Sequence, residues 1–272
     1  MVKGVTLKSG ETSGERAEQG FIALNSCFVY KKGYRLELNA NDIESTESVQ
    51  FKDECLRSCL MAMLEPNGFT CRSLMHMPKD DDCVLTAVDG DKAIRTDEQH
   101  SRIPVNFYEN KCATPPIKGG MIEVRLVGYK GGEGIVQMVQ AKGDKPFIFV
   151  VVDGLPDSKS FDVLYHENEV QDCFRMTREE RNNAKKLTKI SADKSGMAVQ
   201  PWNTIDFDIL RDSALNKTIA VVDSRTGEPA VCGRIKIKGD KADWQSAKNA
   251  SQSSYNFLSI YLSFFIYLIL SI

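Results

Sequence analysis

Eight cysteines and three histidines are the residues with which this chain could do chemistry. Thiols pair as disulfides or hold soft metals, and imidazoles ligate copper or zinc. Six cysteines (Cys27, Cys55, Cys59, Cys71, Cys83 and Cys112) fall in the first half, and Cys173 and Cys232 lie far beyond. An even number permits a complete disulfide framework, and disulfide formation would use up the thiols a zinc site needs. Three histidines exclude any site built on a histidine cluster. A lone histidine on a short strand, such as His76, reads as a structural residue.

The elements that must position these residues follow from pattern. The 272 residues, 42% hydrophobic and 26% charged, suit one large or two small domains. Thirty-five basic residues against 37 acidic ones leave a net charge of −2, which gives no basis for binding nucleic acid. The run ATPPIKGG stops regular structure and marks a linker at 114–120, between domains at 21–113 and 121–240. In the first, FKDECLRSCLMAMLE is rich in helix formers, and its cysteines, four apart, share one helix face that two bridges could staple to a sheet. Strands are expected at 69–77, 83–88 and 106–112. So small a domain has a thin core, for which disulfides compensate.

The second domain reads as all-β. Strands are expected at 121–129, 134–140, 146–154, 161–167, 196–200, 205–209, 217–223 and 232–237, with frequent turns, as in a sandwich or barrel. Cys173 and Cys232 are left to bridge each other, adding about 4–5 kcal/mol in the chain-entropy account. The charge run TREERNNAKK at 177–186 reads as a solvated loop or helix.

CFVYKKGYRL, CLRSC, CRSLMHM, CVL and YENKC, in that order, resemble the PAN/apple family over almost all of 27–112. The resemblance implies an α+β, disulfide-rich module, a helix on a small antiparallel sheet, with Cys27–Cys112, Cys55–Cys83 and Cys59–Cys71 paired. It implies recognition of protein or carbohydrate rather than catalysis.

Over 121–240, GIVQMVQ, VVDGLPD, SFDVLYHENEVQDC, LTKISADKSGMA, KTIAVVD and AVCGRIKI are similar in order to the copper/zinc superoxide dismutases. That resemblance implies a Greek-key β-sandwich or barrel and the bridge Cys173–Cys232. It also exposes what is lost. The positions of three copper histidines fall on Asp162, Leu164 and Asp223, and no histidine follows Cys173. The family's guiding arginine falls on Pro229, and few residues separate Asp223 from Cys232. His166, two residues past the motif, cannot build the site alone. No catalytic residue, metal ligand or cofactor is therefore expected, because carboxylates alone favour hard ions over copper. Asp162 and Asp223, if they faced each other, could bind calcium or share a proton.

The ends concern location. Residues 257–272 are uncharged and apolar, preceded by a small, polar spacer at 241–256, the pattern of a GPI-anchor signal with Asn249 as the attachment residue, or of a short membrane anchor. Residues 1–20 are polar, and the secretory route such an anchor needs would require a signal peptide upstream. Asn216-Lys217-Thr218 is a glycosylation sequon. Together these predict a protein on the extracellular face of the plasma membrane, a non-catalytic binding or adhesion protein whose ligand is a protein or carbohydrate. The β domain is a candidate homodimer surface. The competing expectation is an extracellular superoxide dismutase with atypical ligands.

Overall fold

Two antiparallel sheets and a short ribbon frame the residues that the computed structural model describes, which are 24–65, 67–95, 104–157, 159–167 and 173–249. The first sheet has five short strands: β1 (Phe28–Tyr30), β3 (Ser45–Ser48), β4 (Ser73–Met77), β5 (Asp82–Thr86) and β7 (Asn106–Asn110). Their order across the sheet is β1-β7-β4-β5-β3, and β2 (Tyr34–Arg35) pairs separately with β6 (Ile94–Arg95). Helix α1 (Lys52–Met61) lies on this sheet. Asp53 and Glu54 occupy its first turn, where acidic groups suit the helix dipole, and Glu54 accepts from the Phe51 backbone N–H at 3.3 Å. Cys55 and Cys59 staple the helix to Cys83 on β5 and to Cys71 just before β4. Cys27–Cys112 ties the start of this layer to its end. These three pairs are the ones the PAN/apple resemblance implies.

The second sheet has eight strands in the order β12-β11-β14-β15-β8-β9-β10-β13. They are β8 (Gly120–Val127), β9 (Glu133–Gln140), β10 (Phe147–Asp153), β11 (Ser160–His166), β12 (Lys185–Ser191), β13 (Ala198–Thr204), β14 (Thr218–Asp223) and β15 (Pro229–Lys238). The sheet curls into a nearly closed barrel, whose end strands β12 and β13 meet at the single bridge Ala192–Ala198. Every second residue points inward, so Ile122, Val124 and Leu126 of β8 join Val136, Ile148, Val150, Val163, Val221 and Ile235 in one core. The connections from β10 to β11 and from β13 to β14 cross non-adjacent strands.

Strands β9 and β10 are buried on both faces. Their outward residues Ile135, Phe149 and Val151 join Val199 of β13 in one apolar cluster with Leu56 and Leu60 of α1 and with Met63 and Leu64 just beyond it. The helix is thus sandwiched between the two sheets. Arg57 pairs with Asp153 across this contact, Arg125 donates to the Leu64 carbonyl at 3.0 Å, and Trp202 Nε1 donates to the Cys112 carbonyl at 3.0 Å. The prolines and glycines at 114–120 therefore connect two layers that share a core.

Two expectations are corrected. IDFDI at 205–209 is not a strand: its alternation places Ile205 and Ile209 in the barrel's core cluster from an irregular segment. The charge run at 177–186 contains a short helix, α2 (Arg178–Asn182), one of the two forms expected of it, and ends in the first two residues of β12. That strand shows lysines to solvent, as edge strands do. Residues 241–249, expected to begin a spacer, form helix α3, whose Trp244 is buried against the barrel core. Among the described residues no helix is long and apolar enough to cross a membrane. The polar start at 1–20 and the apolar run at 257–272 lie outside the described residues.

Candidate functional site

Strand alternation decides what the dismutase-like positions can do. Asp162, Leu164 and His166 lie on the outer face of β11, opposite Val222, Ala220 and Thr218 of β14. Asp223 lies opposite Phe161, whose side chain is in the barrel core. Asp162 and Asp223 therefore stand on opposite faces of the sheet and form no carboxylate pair. Each has its own partners. Asp162 accepts from Ser224 Oγ at 2.8 Å and pairs with Lys186 at 2.7 Å. Asp223 accepts from the backbone N–H groups of Arg225 and Thr226 at 2.8 and 3.1 Å, which hold its carboxyl below the usual range, with Lys159 3.5 Å away. It thereby closes the tight β14–β15 turn, where Gly227 takes the left-handed conformation that a side chain would strain.

Leu164 packs in an apolar cluster with Met176, Ala220, Val222, Cys173 and Cys232. Cys173–Cys232 pins the segment after β11 over this face. His166 is 3% exposed. Burial pushes its imidazole below the ordinary value, partly offset by a hydrogen bond to the Glu180 backbone, and Nε2 has no partner. This donor set does not fit copper: one buried imidazole, one leucine and two lysine-paired aspartates cannot hold and cycle it. Among the described residues no three His, Cys, Asp or Glu side chains converge as a metal set. Pro229 begins β15 opposite Val222. His76 is buried at 3% on β4, between Cys83 and Asn106 of the neighbouring strands.

Asn216 is exposed at a left-handed position just before β14, so its amide is accessible although Thr218 of the same sequon is buried. Asn249 is exposed in α3.

Two clefts among the described residues bring aromatic and charged side chains together. The first, about 550 Å³, lies between the layers. The five-stranded layer supplies Arg72, Asp89, Asp91, Glu109 and Lys111, and β13 supplies Pro201 and Trp202. Trp202 leans on Phe149 with ring centroids 5.6 Å apart and is only partly buried. Arg72 Nη1 donates to both Asp89 oxygens at 2.7 Å. Burial pushes the Glu109 carboxyl up, but Lys111 at 2.6 Å and Lys31 at 2.9 Å outweigh it and hold the carboxyl below its ordinary value. The second cleft, about 470 Å³, opens at the barrel mouth, where the Tyr165 and Phe207 rings meet at a tilt with centroids 4.4 Å apart, beside Lys185 and Arg211.

Sequence reasoning did not single out Trp202, Arg72 or Asp89. Trp202 carried a usable signal as one of two tryptophans, but its position beside Arg72 depends on how the layers dock.

No family model matches the chain. An uncharacterized protein of Caenorhabditis elegans, C34C12.7, is 34% identical over 270 residues, covering 95% of this chain and 93% of the nematode protein. Similarity of that extent places the chain in the same family as the nematode protein.

Proposed function

We propose that this protein is a non-catalytic recognition protein of the extracellular face of the plasma membrane, anchored through its C-terminus. A PAN/apple-like module binds a protein or carbohydrate, and a dismutase-like barrel without a metal site serves as its scaffold. The observation that carries this reading is the state of the dismutase-like face. Leu164 packs, partly buried, against the Cys173–Cys232 segment, and Asp162 and Asp223 are turned to opposite sides and held by lysines. The disulfide framework on a helix-and-sheet layer supports the first half of the reading, and suits an oxidising compartment.

The test is metal content with superoxide turnover, measured on full-length protein made in a secretory host and offered copper and zinc. The expected result is protein that retains neither metal and leaves superoxide at the uncatalysed rate. Stoichiometric copper with turnover would overturn the reading and establish a dismutase with atypical ligands.

A further inference from the structure

We infer that the cleft between the two layers is a composite binding site for an uncharged saccharide, with Trp202 as its aromatic wall. This inference rests on the recognition reading above and locates its site. A sugar ring offers an apolar C–H face and a set of hydroxyls that each donate and accept. Recognition therefore needs an aromatic surface beside closely spaced donors and acceptors. The cleft brings these together from both layers. Trp202 is held by Phe149 behind it and by its bond to the Cys112 carbonyl, so its position is set before any ligand arrives. Arg72 engages Asp89 through one guanidinium nitrogen, which leaves other N–H donors of the fork to reach a ligand. Asp89 and Asp91 are acceptors on the same wall, and Lys111 adds a donor.

Charge selects among sugars. Two cationic lining residues, Arg72 and Lys111, stand against three anionic ones, Asp89, Asp91 and Glu109. Most of these are already paired within the cleft, so little net field remains to attract a sulfate or carboxylate. Size points the same way. A volume of about 550 Å³ lies in the range of small-ligand sites, about 300–1,000 Å³. A stable protein partner instead needs roughly 800 Å² of matched surface on each side.

The experiment uses the full chain in a detergent without a sugar headgroup. It is applied to a printed array of uncharged hexose- and N-acetylhexosamine-terminated oligosaccharides and their sulfated counterparts. The inference expects retention of uncharged glycans, a fall of about tenfold for Arg72→Gln, and a larger fall for Trp202→Ala. Arg211→Ala at the barrel mouth should bind as wild type does. Trp202 also packs between the layers, so Arg72→Gln, whose side chain is 40% exposed, keeps the test valid if the tryptophan variant misfolds. Retention of sulfated glycans alone, of no glycan, or equal retention by wild type and Arg72→Gln would each overturn the inference. The recognition reading itself falls only to the separate finding of bound copper with superoxide turnover.

Discussion

The five-stranded layer and the barrel hold themselves together differently. The layer has strands of three to five residues and places three disulfides between Cys27 and Cys112. The barrel has strands of six to ten residues, one continuous core, and a single disulfide that fastens an outer segment. A small domain buries too little apolar surface to stand on packing alone. The layer meets that shortage by cross-linking and by sharing α1 with the barrel's outer face. The cleft with Trp202 exists because of that sharing, since one wall comes from each layer.

The largest expected effect tests the cross-linking. Cys27→Ala/Cys112→Ala removes a bridge across 85 residues, and Cys173→Ala/Cys232→Ala one across 59, each worth about 4–5 kcal/mol by chain entropy. The two losses should act differently. Hydrogen exchange should show the five-stranded layer opening in the first variant. In the second, the urea midpoint should fall and protection should weaken around β14 and β15, with the five-stranded layer the less affected. Equal opening of both regions in both variants would break the distinction.

Core truncation sharpens it. Leu60→Ala on α1 and Leu126→Ala inside the barrel should each cost about 2–5 kcal/mol, as both side chains are fully enclosed. Leu60→Ala should weaken exchange protection in β4 and in β10, because its cluster spans both sheets, whereas Leu126→Ala should spare β4. Protection lost in β4 alone after Leu60→Ala would mean that the layers are independent.

Arg57→Ala should cost about 1–2 kcal/mol, measured by urea denaturation, because it removes the partly buried pair with Asp153 and a bond to the Ser195 carbonyl. No loss would place the docking energy wholly in the apolar cluster.

Acid should have the smallest effect and should touch both regions. Burial pushes the Glu123 carboxyl on β8 up, but hydrogen bonding and charge from Lys238 at 2.6 Å and a bond from Gln137 outweigh it and leave it lowered. Glu109 in the five-stranded layer is lowered in the same way by Lys111 and Lys31. A carboxylate lowered in the folded state contributes stability that is present above its unfolded value, about pH 4.3, and is lost as pH falls through the folded value. Stability should therefore decline below about pH 4.3, and Glu123→Gln should flatten part of that decline in urea melts across pH 2–6 (an order-of-magnitude window around carboxylate titration). An unchanged slope would remove Glu123 from the account.

Much of the fold was legible in local pattern. The cysteines four apart on a helix, the alternating strands of the barrel and the turn signals between them all report periods of 3.6 or 2, which need no tertiary knowledge. Two signals were present but carried less than they could. FIFVVVD in β10 is apolar at nearly every position, the mark of a strand covered on both faces. CLRSCLMAMLE is apolar over more than one helix face, the mark of a helix packed on two sides. Edge strands β3 and β12 escaped pattern because their exposed faces are polar, so neither resembles a buried strand. IDFDI misled because alternation in an irregular plug looks the same as alternation in a strand.

What the sequence by itself determined is the inventory: eight thiols that can all pair, three imidazoles, and the side chains Asp162, Leu164 and Asp223 along the strands that carry them. What only the tertiary structure decided is neighbourhood. Register set Asp162 and Asp223 on opposite faces, and the docking of α1 against β9, β10 and β13 set Trp202 beside Arg72 across 130 residues of chain. Residue chemistry is local and can be read in order along a chain. The contact of two surfaces is settled by which burial, summed over both, leaves the least apolar area in water.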